Sequence, residues 1–159
     1  MKNLLFFSAT LVFIYSCSTT SSVELVGNKN SGLPYKLINI DTSNKTGEVF
    51  ENDIENMMKA ALQNELKLYS GSNEINESSI DVLITQYTEG NAFGRWLAPG
   101  LSKTILTVEA SLKDSSGAIV MQSQVTRSVG AGGGYTIGAW KKVFDDVAEE
   151  LVNEMNLFK

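Results

Sequence analysis

The spacing of apolar residues along the chain predicts two amphipathic helices. Between residues 48 and 70, apolar side chains recur every three or four positions, which places them on one face of a helix. They are Phe50, Ile54, Met57, Met58, Ala61, Leu62 and Leu66. A second set begins after Thr136, a residue type that caps helix N-termini. It comprises Ile137, Trp140, Phe144, Val147, Leu151, Met155 and Phe158. Each helix therefore needs a second layer to cover its apolar side.

Shorter apolar runs predict four strands. Residues 33–42 predict the first strand, and residues 79–90 predict the second, whose continuous apolar middle indicates burial on both faces. Residues 103–128 alternate between apolar and polar on either side of a turn at residues 114–117, where Gly117 is expected to have a positive φ. The predicted order is β-α-β-β-β-α. It corresponds to an α+β two-layer sandwich, with a mostly antiparallel sheet and both amphipathic helices on one face.

The N-terminus has the pattern of a secretion signal. Lys2 is followed by an apolar run at residues 4–15, which is too short to span a bilayer but has the length of a signal-peptide core. Ser16 then precedes Cys17, the only cysteine. This arrangement is similar to bacterial lipoprotein signals, in which the cysteine is acylated and becomes the first residue. A simple signal peptide or a buried helix, with Cys17 incidental, is the alternative.

The similarity to lipoprotein signals implies a domain organisation and a location. Residues 1–16 would be the signal peptide, residues 17–32 the lipid anchor and flexible tether, and residues 33–159 a single periplasmic α+β domain. The acyl chains on Cys17 would hold the protein on the membrane. Ser18, in the position where aspartate favours the inner membrane in lipoprotein sorting, points to the outer membrane.

Composition narrows the chemistry that the domain can perform. The chain has 13 basic and 18 acidic residues, a net charge of −5, and no basic stripe of the kind that binds nucleic acid. It contains no histidine, and the single cysteine is assigned to lipid. We therefore expect no metal, no cofactor and no histidine-based nucleophile system. Carboxylate-only or serine–lysine chemistry remains open.

A glycine-rich segment follows the last predicted strand. Four of the five residues from 130 to 134 are glycine, and Tyr135 comes next. A phosphate-binding loop would need a lysine and a hydroxyl after its last glycine, but Gly138 is followed by Ala139 and Trp140. No nucleotide is therefore expected. The glycines would instead relieve steric limits at a turn. Alternatively, they would let a partner's backbone approach, with Tyr135 as an anchor.

A second unusual segment lies between the second and third predicted strands. It contains Phe93, Arg95, Trp96 and Leu97. Aromatic and arginine side chains on loops are the residue types that dominate protein recognition. These four residues, with Tyr135, are the candidate partner-binding site. The alternative is that the aromatic rings pack back over the sheet.

The second half of the chain resembles a known family. Residues 94–134, "GRWLAPGLSKTILTVEASLKDSSGAIVMQSQVTRSVGAGGG", followed by an acidic helix, resemble the bacterial lipoproteins of domain-of-unknown-function family 4410. The matching positions are Thr104, Val108, Glu109, Leu112, Asp114 and Gly117. The resemblance implies no activity. Its layout is similar to that of periplasmic lipoprotein domains that act in assembly or binding.

Three functions follow as hypotheses. The first is a non-enzymatic, outer-membrane-anchored periplasmic lipoprotein that binds an envelope protein or acts in assembly. The second is a subunit of a homo-oligomeric envelope or secretion complex. The third is a carboxylate-dependent hydrolase, for which Asp145 and Glu149 share a helix face. The first is preferred, because those carboxylates are predicted to lie on a solvated surface.

Overall fold

The structure is a computed structural model that describes residues 35–67, 76–90, 102–129 and 139–155. The strands are β1 (Tyr35–Asn44), β2 (Asn76–Thr88), β3 (Thr104–Asp114) and β4 (Ile119–Val129). The helices are α1 (Ile54–Lys67) and α2 (Lys142–Glu154), and a 3-10 turn (Ala139–Lys141) leads into α2. Their order along the chain is the predicted β-α-β-β-β-α.

The strands form one sheet in the order β1-β2-β3-β4. β2, β3 and β4 are an antiparallel meander, whereas β1 pairs parallel to β2. A parallel pair requires a crossover connection, and α1 supplies it. Sequence periodicity does not report strand direction, so the parallel pair was not predicted.

The core lies between one face of the sheet and the two helices. Facing side chains of the three meander strands form buried rows, for example Ile84, Val108 and Val125. Met58 and Leu62 from α1 and Phe144 and Leu151 from α2 are fully buried against this face. Burial of each such side chain stabilises the fold by about 1.5–3 kcal/mol. The predicted two-layer α+β sandwich is confirmed.

The first helix begins later than its apolar spacing predicts. Asp53 accepts a hydrogen bond from the backbone N–H of Asn56 at 3.0 Å, as an N-cap residue does, and α1 starts at Ile54. Val49 precedes this cap and is fully exposed. Phe50 packs against the core from the segment before the helix. A helix beginning at residue 48 is therefore wrong, because the cap fixes the start.

β2 is not buried on both faces as its apolar middle suggested. Val82 and Ile84 are fully buried, whereas Leu83 points to the other face and is half-buried. A register shift between Ile84 and Gln86 then returns Tyr87 to the buried face. In the β3–β4 turn, Gly117 has φ +83°, which confirms the expected positive φ.

Candidate functional site

Strand directions bring three chain connections to one end of the sheet. β1, β2 and β4 end there, and β3 begins there, as the pairs Asn44–Ile84, Thr88–Ile105 and Thr104–Val129 show. We call this the loop end, defined by residues 44–53, 88–90, 102–104, 129 and 139–141. Binding residues commonly lie on loops that a rigid scaffold positions, so the loop end is the candidate site.

The residues that the sequence singles out for binding lie outside the described residues. Phe93, Arg95, Trp96 and Leu97 fall in 91–101, Tyr135 falls in 130–138, and Cys17 falls before residue 35. The structure does describe the strand ends at which these two loop segments join the sheet. Thr104 accepts a hydrogen bond from the backbone N–H of Gly90 at 3.1 Å through its Oγ1, and it pairs with Val129. Both segments therefore attach to the loop end.

The third connection, between β1 and α1, is held by local hydrogen bonds. The side chain of Asn44 accepts from the backbone N–H of Thr46 at 2.9 Å, and the backbone N–H of Lys45 donates to the carbonyl of Ile84 at 2.8 Å. Gly47 then adopts φ +80°. The sequence "NKTG", Asn44 to Gly47, has the residue types of such a turn and could have indicated it. The apolar residues that follow, Val49 and Phe50, instead made this segment resemble the start of the helix.

A groove of about 520 Å³ extends from the loop end between α1 and the start of α2. Its lining residues are Asn52, Asp53, Asn56, Met57, Ala60, Ala61, Asn64, Trp140, Lys141, Phe144 and Asp145. The Nζ atom of Lys141 lies 5.5 Å from the centroid of the Trp140 ring, within cation–π range. The amides of Asn52 and Asn56 donate to Glu89 and Asp53 within the chain, so the groove presents polar side chains that are already paired beside the indole ring.

Apolar spacing placed Met57, Trp140 and Phe144 on helix faces, but it did not single out the groove asparagines or join the two helices into a site. Asn56 and Asn64 are eight positions apart, which places them on one side of α1, whereas Asn52 lies just before the helix. The groove exists because that side of α1 faces the first turn of α2. Helix pairing of this kind depends on tertiary packing and leaves no signal in either segment alone.

Three aromatic side chains pack against one another in the core at the loop end. The Tyr87 ring packs edge-on against Phe50, with centroids 5.0 Å apart, and lies 5.5 Å from Phe144, which also lines the groove. Burial, with a smaller contribution from the charge of Glu89, raises the pKa of Tyr87 to about 12. The phenol therefore stays protonated at neutral pH and serves packing.

The carboxylates of α2 do not form a convergent set. Asp145 and Glu149 are exposed, as predicted, whereas Asp146 pairs with Lys142 and Glu150 pairs with Arg127 of β4. The pairing with Asp146 raises the pKa of Lys142. Across the four described ranges, no group of three acidic, histidine or cysteine side chains is placed to hold a metal ion.

No family model matches the chain, and no curated protein matches it. The resemblance to family 4410 therefore stays a prediction. None of the helices in the described part of the chain is long and apolar enough to cross a membrane.

Solved bacterial structures share the fold over most of the chain. A PelC dodecamer from Paraburkholderia phytofirmans is 13% identical, with a TM-score of 0.60, covering 88% of this chain and 100% of that one. Protein XCC0632 from Xanthomonas campestris, of family DUF330, is 14% identical, with a TM-score of 0.52, covering 79% of this chain and 88% of that one. At these identities the likeness defines a shared α+β fold and no more.

Proposed function

We propose that this protein is a non-enzymatic lipoprotein of the bacterial outer membrane whose periplasmic domain binds an envelope protein through its loop end. The observation that carries this proposal is the convergence of connections at that end. The segments containing Trp96 and Tyr135 both join the sheet there, beside the groove between the helices. A rigid sheet that carries two segments with aromatic side chains at one end is suited to binding a partner.

The location rests on the N-terminal sequence. The run from Lys2 to Cys17 has the order of a lipoprotein signal, and Ser18 favours the outer membrane. The resemblance to family 4410 lipoproteins is consistent with this assignment.

The non-enzymatic assignment rests on composition and on the acidic helix. The chain has no histidine, and its one cysteine is assigned to lipid. Asp145 and Glu149, the pair considered for hydrolase chemistry, are both exposed on the surface of α2. Two other carboxylates of α2, Asp146 and Glu150, are held in ion pairs with Lys142 and Arg127.

Photo-crosslinking in cells tests the binding proposal. A photoreactive residue replaces Trp96, and the matched control carries it at Ser116, in the exposed β3–β4 turn at the opposite end of the sheet. We expect a defined adduct with an envelope protein from position 96 and none from position 116. If the folded chain gives no adduct from position 96, the segment is structural and the binding assignment fails.

A second candidate is a subunit of a homo-oligomeric envelope complex. The observation that favours it is the fold likeness to the PelC dodecamer, which spans that chain in full. Sedimentation velocity of the detergent-solubilised chain tests this candidate. We expect a species heavier than one chain, and a single-chain mass at all concentrations would eliminate it.

A further inference from the structure

We propose that Thr104, the first residue of β3, is a positioning residue whose hydroxyl group fixes the point at which the segment containing Trp96 leaves the sheet. The inference deepens the proposed binding function and rests on it. Thr104 acts through Gly90, which directly precedes residues 91–101.

The backbone pairing between β2 and β3 ends before this segment begins. Its last pair is Thr88 with Ile105, so Gly90 lies two residues beyond the last paired residue of β2. The backbone N–H of Gly90 donates to Oγ1 of Thr104 at 3.1 Å. A side chain therefore continues the attachment of the two strands past the point at which their backbone pairing stops.

Burial makes this hydrogen bond costly to lose. Thr104 is fully buried, and Gly90 is buried as well. A buried N–H that loses its acceptor cannot readily turn to water, so its desolvation is no longer compensated. The hydroxyl of Thr104 therefore favours one position of Gly90 over the alternatives.

The backbone of Thr104 is held separately from its side chain. Thr104 pairs with Val129, the last residue of β4, and Val129 is buried. The segment that contains Tyr135 follows Val129 directly. Thr104 thus links the starts of both candidate binding segments, one through its side chain and the other through its backbone. A change confined to the hydroxyl should alter the first link and leave the second.

Two substitutions at Thr104 separate the hydroxyl from the shape of the side chain. Valine keeps the branched shape that suits a strand but has no acceptor. Serine keeps the acceptor and loses the methyl group. If Thr104 acts through its hydroxyl, Thr104→Val should lose the effect and Thr104→Ser should keep it.

Hydrogen exchange at the Gly90 amide, measured by NMR on the detergent-solubilised full chain, tests the attachment. Thr104→Val should speed this exchange by about tenfold, because the buried N–H loses its acceptor, and Thr104→Ser should keep the wild-type rate. Thr85→Val is the matched control, since the Thr85 hydroxyl also bonds to the backbone, donating to the carbonyl of Thr107 at 3.4 Å. It should leave the Gly90 amide unchanged, and circular dichroism should show all three variants folded.

Photo-crosslinking from position 96 tests the consequence for binding. In cells, Thr104→Val should lower the yield of the defined adduct by roughly threefold, because a segment held less often in its binding position has a lower apparent affinity. Thr104→Ser should restore the yield, and Thr85→Val should not change it. The yield is divided by the amount of folded chain, so that a loss of stability alone does not lower it.

The outcomes separate this inference from the proposed function. Faster exchange at Gly90 and a weaker adduct in Thr104→Val alone support the positioning role. An unchanged exchange rate, an unchanged adduct, or an adduct lost equally in Thr104→Ser overturns that role and retains the binding proposal. If the chain with Thr104 intact gives no adduct from position 96, both proposals fail.

Discussion

At the scale of single residues, the buried side chain of Tyr87 shows how a polar group is retained in the core for packing. Tyr87 is 4% exposed, and its hydroxyl is one of three buried side-chain polar atoms in the described part of the chain with no hydrogen-bond partner. Burying a hydroxyl without a partner costs about 1–3 kcal/mol. The ring compensates by packing on Phe50 and Phe144. Tyr87 is therefore held for its aromatic surface.

Tyr87→Phe should stabilise the protein by about 1 kcal/mol at pH 7, because it removes that hydroxyl and keeps the ring. The pKa of Tyr87 is raised to about 12 in the folded chain, against about 10 when unfolded. Between those values the folded chain holds the proton that the unfolded chain loses, so stability falls as pH rises from 10 to 12. Urea unfolding at several pH values should show this fall reduced in Tyr87→Phe.

The control for this prediction is Glu89→Gln. It removes the charge that adds to the raised pKa of Tyr87 and keeps the hydroxyl, so part of the alkaline dependence should remain. An alkaline fall that is unchanged in Tyr87→Phe would show that other groups cause it.

At the scale of elements, the β3–β4 hairpin depends on its turn. Asp114 Oδ1 accepts hydrogen bonds from the backbone N–H groups of Ser116 and Ala118, at 2.9 and 3.1 Å. The hydroxyl of Ser116 contributes most to lowering the pKa of Asp114, and these backbone groups add to it. Gly117 completes the turn with a positive φ. This turn fixes the register that places alternate residues of both strands in the core.

Gly117→Ala should destabilise the chain by about 1–2 kcal/mol, because an L side chain is strained at φ +83°. A Cβ atom at this position meets no heavy atom within 4 Å, so the effect is purely conformational. Urea unfolding measures it, with Ser115→Ala in the same exposed turn as the control. Equal stability of the two variants would contradict the assigned turn geometry.

The spacing of apolar residues predicted the strands and helices but not the contacts between them. The α2 residues Phe144, Val147 and Leu151 are buried as their spacing indicated. The start of α1 was missed because the cap at Asp53 overrides the apolar residues before it. The parallel β1–β2 pair and the groove could not be predicted, because both depend on contacts between segments distant in sequence. The loop residues Trp96 and Tyr135 stay predictions.

At the scale of the whole molecule, β1 runs towards the loop end from the point at which the described chain begins. The chain enters β1 at Tyr35 and reaches the loop end at Asn44. In the proposed arrangement the flexible tether of residues 17–32 would extend by up to about 3.3–3.6 Å per residue, which leaves the domain free to turn its loop end towards a partner.

Acylation of Cys17 is the prediction that belongs to this scale. Metabolic labelling with a palmitate analogue should mark the wild-type chain and leave Cys17→Ser unmarked. Ser16→Ala, which keeps a small residue before the cysteine, should stay labelled. An unlabelled wild-type chain would eliminate the anchor and the location that depends on it.

The parallel pairing of β1 with β2 has a mechanical consequence for an anchored protein. The chain enters β1 at Tyr35, and the segment containing Trp96 leaves β2 after Thr88, at the opposite end of the same strand pair. A pull between the membrane and a partner bound at that segment would slide the two strands along each other. Their hydrogen bonds would then bear the force together instead of opening one by one. The domain would resist tension along the very axis on which it is proposed to connect membrane and partner.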